Sequence, residues 1–387
     1  MVPEYLAPGV YIEEIPSGVR PIGGVPTSIT AFLGATAKGP VAGPLVVRSF
    51  GEFTAQYGGL AEGMPLGYAV LHYFANGGRE ALIARVESSG GTLTDADLSD
   101  PALEKKQRGL WLLDQAERFN VLCIPPLARA TDVGKATWDA AAAYASKRRA
   151  FLIVDTPAAW ASAQAVTAAS VAALVSPGAN AAVYFPRLRG TDPLHGNQAA
   201  VFAPCGAVAG VYARTDQARG VWQSPAGLEA NLLGFQGATV TLAEPEIAAL
   251  NALNVSAIRA QPALAVWGAR TLAPDTVAPE YKYVAVRRLA LFIEDSLDEG
   301  LRWAVFEPNT PALWARVRAT VEDFLRGLWQ QGALHGTKAK EAYFVRADPT
   351  TLTQQDVDQG RLVMEIGIAP VRPAEFVIFR LVIIANA

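Results

Sequence analysis

The 387 residues are 51% hydrophobic and 18% charged, with a formal net charge of −3. That balance argues against a strongly basic nucleic-acid binder, and the length suffices for two or three domains with proper cores. Such apolarity fits either an alanine-rich core or surface buried by association. The opening Met1-Val2-Pro3-Glu4 leads into neither a basic region nor a long apolar run, so no signal peptide is expected. Cys123 and Cys205 carry no metal or redox spacing and fit a reducing compartment.

In chain order, Pro8-Gly9 opens an alternating segment, Val10-Tyr11-Ile12-Glu13-Glu14-Ile15, closed by Pro16. It reads as a strand between breakers, with a Pro/Gly/Ser-rich connector running on to Pro26. Strands are expected at 30–34 and 82–86, a turn with part of a helix at 50–58, and a helix at 65–76 stopped by Gly77-Gly78. Residues 88–109 are polar and read as a loop or short surface excursion. An alternation then begins: strand 119–124, helix 138–149, strand 150–154, helix 158–175 and strand 181–185. That order is the signature of a parallel α/β layer with right-handed connections. Tyr212 to Ala226 is charged, glycine-bearing and aromatic, and reads as a loop. Its Arg214, Asp216 and Arg219 fit either a substrate clamp or an ion-pair lock between packed pieces.

The last third changes character. Helical spacing covers 284–301, and 302–306 reads as a short strand. Thr310-Pro311 supplies a cap and a first-turn proline. The helix begun there carries Leu313, Val317, Val321, Phe324 and Leu328 on one face and ends at Gly332. Arg318, Glu322 and Arg326, four apart, make a charged face. A strand is expected over 361–369. After Pro370 and Pro373 comes Phe376-Val377-Ile378-Phe379-Arg380-Leu381-Val382-Ile383-Ile384, apolar at odd and even positions alike. A strand of that pattern needs cover on both faces, and it is too short for a membrane helix of about 20 residues.

Catalytic signals are sparse. His72, His195 and His335 are far apart and fit no metal spacing. No nucleophile elbow, phosphate loop or dinucleotide fingerprint follows a strand. Asp155-Thr156-Pro157 ends a strand where an α/β enzyme would place its site, but it reads first as the polar turn and helix start that any such strand end needs. A soluble α/β enzyme with a ligand at the strand ends of 119–185 is therefore the alternative reading. The acidic set Glu294, Asp295, Asp298 and Glu299 reads as a solvated helix face or a salt-bridge surface for a partner rather than as a paired-carboxylate catalyst.

Several stretches, in order along nearly the whole chain, resemble the sheath proteins of contractile phage tails and of phage-derived contractile injection systems. They are Pro8-Gly9-Val10-Tyr11-Ile12-Glu13-Glu14; residues 211–225; Trp267-Gly268-Ala269-Arg270-Thr271-Leu272; and Val286-Arg287-Arg288-Leu289. Further on come Trp303-Ala304-Val305-Phe306-Glu307-Pro308-Asn309, Leu328-Trp329-Gln330-Gln331-Gly332-Ala333-Leu334, and residues 366–376. Cys205 stands where that family's Pro-Ser-Gly turn has serine, and the chain is short for the family: long members carry an extra outward-facing domain, of which 88–109 is the one candidate remnant here.

The resemblance implies a non-enzymatic subunit without cofactors. It stacks in six-fold rings around a tube of a second protein, on a baseplate and below a terminator or cap. It assembles inside the producing cell, binds no nucleic acid and does not insert into membranes. It implies an α/β sheath core: an arm at 1–26, an α/β domain at 27–260, a tube-facing domain at 261–374 and a C-terminal arm at 375–387. Strand exchange between subunits would use Val10, Tyr11, Ile12, Glu13 and Glu14 with Phe376, Val377, Ile378, Phe379, Arg380, Leu381, Val382 and Ile383. Glu13 or Glu14 of a neighbour would answer Arg380. Arg316, Arg318, Glu322 and Arg326 are the candidate tube contacts. Burying the eight large apolar residues of 376–384 would stabilise by about 12–24 kcal/mol, against roughly 9–18 kcal/mol for ordering the nine-residue backbone. The arms are then tethers, and the energy of contraction is expected in contacts between subunit bodies.

Overall fold

The computed structural model describes residues 21–260 and 262–375. They fall into two compact units, one holding residues 24–295 and 370 onward, the other residues 21–23 and 296–369.

The larger unit is built on an eight-stranded sheet. Its strands are β1 (Thr30–Gly34), β2 (Leu45–Val47), β3 (Ala81–Arg85), β4 (Val121–Cys123), β5 (Phe151–Asp155), β6 (Ala181–Phe185), β10 (Val255–Arg259) and β11 (Ala265–Val266). The order is β11-β10-β6-β5-β4-β1-β3-β2. All neighbours are parallel except β2 and β11, which close the two edges antiparallel. Strand residues alternate between two cores. Ala31, Leu33, Leu122, Leu152, Val154 and Val183 face one side, and Phe32, Val121, Cys123, Phe151, Ile153 and Tyr184 face the other. Burial on both faces explains why these strands read as continuous apolar runs.

The first face is covered by α4 (Lys135–Lys147), α5 (Ala168–Leu174) and α7 (Glu244–Ala252), through Trp138, Tyr144, Leu174 and Leu250. The second is covered by α1 (Phe50–Tyr57), α2 (Pro65–Ala75), α6 (Cys205–Arg219) and the start of α8 (Val284–Gly300). Helices α2 and α6 touch backbone to backbone. A Cβ on Gly206 would lie 2.1 Å from the Ala69 carbonyl oxygen, and one on Gly210 would lie 2.5 Å from that of Tyr73. Only glycine permits that approach. Beside them lies an antiparallel three-stranded sheet, β8 (Gln198–Phe202), β7 (Leu188–Asp192) and β9 (Phe235–Ala238).

The smaller unit packs α9 (Pro311–Gln330) with a two-stranded antiparallel sheet, β12 (Tyr343–Arg346) and β13 (Glu365–Ile368). Thr310 caps α9 by accepting from the Leu313 N–H at 3.5 Å. Leu313, Val317, Val321, Leu325 and Leu328 form its buried stripe. Phe324, expected on that stripe, is only half-buried, and Leu325 takes the place.

Several expectations need correction. Residues 158–175 are not one helix: a 3-10 turn at Ala163–Ala165 precedes α5, which starts afresh because Thr167 and Ser170 form a capping box. Residues 302–306 are no strand but a 3-10 turn, Arg302–Ala304, after which Phe306 sits at φ 70 and fully exposed. A left-handed φ cannot continue a strand. Tyr212 to Arg219 is helical, part of α6, rather than loop. Residues 88–109 contain α3 (Asp95–Ser99) and a 3-10 helix, Pro101–Lys106. Of 361–369, only Glu365–Ile368 is strand.

Candidate functional site

An α/β enzyme would work at the strand ends of the parallel sheet. They are filled by structural contacts. The Asp155 carboxylate accepts the Cys205 N–H at 2.8 Å, holding the start of α6. Burial pushes its carboxyl up to about 6. Arg187 donates from Nε to the Thr156 carbonyl at 3.0 Å and from Nη2 to Asp132. Asp192 accepts from Tyr68 Oη at 2.6 Å, from Arg129, and lies 2.7 Å from His195 Nδ1. Burial alone would raise the Asp192 carboxyl, but the bonds from Tyr68, His195 and Arg129 outweigh it and hold it below the usual carboxylate range. The cavity between them, lined by Tyr68, His72, Arg129, Arg187 and Phe202, measures about 40 Å³. That is room for about one water molecule. Among the described residues, no group of three His, Cys, Asp or Glu side chains is placed to hold a metal ion.

Two other arrangements have the character of anchors. In the first, Arg288 and Asp216, both almost fully buried, meet fork to fork at 2.9 and 2.6 Å. Arg288 also donates to the Thr27 carbonyl at 2.9 Å, the Thr27 hydroxyl donates to Asp216 at 2.7 Å, and the guanidinium lies 4.7 Å over the Tyr212 ring. Of the two readings open for this charged stretch, the geometry is the ion-pair lock: it ties α6, α8 and the segment entering β1.

The second anchor fixes the root of the C-terminal segment. Arg270, just past β11, donates from Nε and Nη2 to the two carboxylate oxygens of Glu375 at 2.9 and 2.6 Å. Its Nη1 donates to the Asn251 carbonyl at 2.7 Å, and the Tyr283 hydroxyl donates to Glu375 at 3.2 Å. Both charges are mostly buried, 11% and 18% exposed. Sequence reading missed this pair because its members are 105 residues apart. The available signal was that each lies in one of the family-like stretches, 267–272 and 366–376.

In the smaller unit, each strand of β12–β13 pairs only with the other among the described residues. Phe344 is 42% exposed there. On α9, Arg318 lies 3.9 Å from Glu322, and Arg326 is exposed. Arg316 turns aside, its guanidinium 4.7 Å over Trp303 and 3.9 Å from Glu307. Three of the four acidic residues on α8 form ion pairs within the chain: Glu294 with Arg287 at 3.3 Å, Asp295 with Arg149 at 3.3 Å, Asp298 with Arg302 at 3.6 Å. The exchange residues Val10 to Glu14 and Phe376 to Ile383, including Arg380 and its expected partners, lie outside the described residues.

The phage tail sheath C-terminal domain family matches residues 276–384. A chain in the cryo-EM structure of the anti-feeding prophage baseplate is 30% identical, with a TM-score of 0.73 over 98% of this chain and 99% of that one. The chain belongs to the contractile tail sheath family. A prophage major tail sheath relative from Pseudomonas aeruginosa (strain UCBPP-PA14) is 28% identical over 279 residues, covering 70% of this chain and 67% of that protein. A chain of the anti-feeding prophage helical sheath, solved in its contracted state, is 29% identical, with a TM-score of 0.75 over 98% and 99% of the two chains. The mixed α/β architecture is that of the contractile sheaths. This is thus a sheath protein of a phage tail or contractile injection system, and the family points to a structural rather than a catalytic protein. Among the described residues, no helix is long and apolar enough to cross a membrane.

Proposed function

We propose that this sheath subunit polymerises as stacked hexameric rings around an inner tube protein, and that the polymer contracts to drive the tube through a target cell envelope. Its ends would meet a baseplate and a terminator or cap, with assembly in the cytoplasm of the producing cell. The observation that carries the reading is the β12–β13 pair. The pair rests on α9, yet among the described residues neither strand has a second neighbour, and open strand edges recruit further strands. This chain supplies two strand-like segments next to proline-rich connectors, Val10 to Glu14 and Phe376 to Ile383. Arms donated by neighbouring subunits complete the small sheet, with the Arg270–Glu375 contact fixing where the C-terminal arm departs. A contact that does not close on itself generates a helical polymer.

The charged face of α9, with Arg318, Glu322 and Arg326, is our candidate tube contact. Arg316 belongs to the same set, with its guanidinium committed to Trp303 and Glu307. A chain lacking residues 376–387 is expected to fold and to build no sheaths. Normal sheaths from that truncation under negative-stain electron microscopy would overturn arm exchange.

A further inference from the structure

Beside the arm root runs a groove of about 720 Å³, entirely within the larger unit. Ile247 and Ala248 of α7 and the half-buried Trp267 give it an apolar floor, and Arg259 lies 4.8 Å over the Trp267 ring. Glu244 stands on its wall. The side-chain oxygen of Asn251, also on the wall, is buried without a hydrogen-bond partner in the structure. Pro373, Ala374 and Glu375 close one side.

We infer that, in a free subunit, this groove holds the chain's own residues 376–387, parking the apolar arm until a neighbour takes it. Three observations select that occupant. Arg270 pins Glu375 to the groove wall, so Phe376 begins there. Extended chain advances about 3.3 Å per residue, so the first few residues stay within the groove's neighbourhood. The chemistry also matches: eight of the nine residues 376–384 are large and apolar, like the Ile247 and Trp267 floor, and the ninth, Arg380, is opposite in charge to Glu244 on the wall. Finally, a short tether gives an effective concentration near millimolar, so the chain's own arm outcompetes that of a second copy at micromolar protein. The parked arm protects a free subunit from edge-to-edge association, and polymerisation includes a release step. The consequence for assembly rests on the arm exchange proposed above, whereas occupancy of the groove does not.

The test is amide hydrogen exchange on the dilute full chain, on a chain ending at Glu375, and on full-length Ala248→Glu. Ala248 is exposed among the described residues, so this variant is expected to fold while blocking the groove. Exchange across 247–252 and 265–268 should rise about tenfold on truncation. Ala248→Glu should lose protection in 376–387 and start polymerising sooner. Equal exchange in the full and truncated chains would overturn the proposal. So would protection that grows with protein concentration, which would make the occupant a second copy. Electron microscopy of the same samples reads arm exchange separately: sheaths from the truncated chain would remove that reading and leave the exchange result standing.

Discussion

The Glu375 carboxylate lies across the Arg270 guanidinium in a two-point contact of 2.9 and 2.6 Å, so a residue next to the arm is fixed to the edge of the large sheet. Charge-assisted bonds of this kind contribute about 1.5–3 kcal/mol. Arg270→Gln should therefore raise the rate at which a glutamate-specific protease cuts after Glu375 by roughly tenfold, which corresponds to about 1.4 kcal/mol, provided cleavage follows the opened population. Tyr283→Phe, which removes one bond of 3.2 Å, should do less. An unchanged release of the terminal peptide from Arg270→Gln would show that the contact does not hold the segment.

The Asp216–Arg288 lock should behave as a buried pair. Asp216→Asn leaves a buried guanidinium facing a neutral amide and should cost about 3–5 kcal/mol in denaturant unfolding. Joint replacement, Asp216→Leu with Arg288→Met, should cost much less than the sum of the single changes. Additive losses would mean that the two residues act separately.

Two buried groups of the larger unit titrate in opposite senses. Burial raises Asp155 from 3.8 to about 6, so its stabilising contribution is complete below pH 4 and is lost as pH rises through 6. Burial lowers His72, packed 4.9 Å from Phe202 and 4.5 Å from Phe235, from 6.5 to about 4. Its contribution is complete above pH 6.5 and is lost as pH falls towards 4. Each slope is about 1.4 kcal/mol per pH unit. Between pH 6 and 4.5, His72→Phe should gain about 2 kcal/mol relative to the parent and Asp155→Asn should lose about 2 kcal/mol. Urea unfolding at the two pH values reads both, and parallel curves for all three proteins would contradict these assignments.

Charge reversal at Arg318 and Arg326, both away from the buried stripe of α9, should leave unfolding within about 0.5 kcal/mol of the parent. It should abolish assembly around the inner tube. Tube binding that survives both changes would remove α9 as the contact.

Much of this fold is legible in local pattern. β1 and β6 emerge at their bounds because double-sided burial leaves uninterrupted apolar runs. α9 is announced by Thr310-Pro311. The stretch from 186 to 283 is not legible in the same way. β7 carries Arg189, Gly190 and Asp192, and Asp192 is buried only because Tyr68, Arg129 and His195 converge on it from elsewhere. α6 hides its helical stripe because α2 and the sheet bury it broadly, from Cys205 to Ala213. The lock and the arm root join residues 72 and 105 positions apart, beyond any local periodicity.

The central claim is that arms from neighbouring subunits extend the β12–β13 sheet. A cryo-EM reconstruction of the polymer formed by the full chain tests it most directly. In that polymer β12–β13 should be part of a larger sheet, with residues 10–14 and 376–383 of neighbouring subunits as its added strands. A polymer in which β12 and β13 still pair only with each other, with both arms retained on their own subunit, would contradict it.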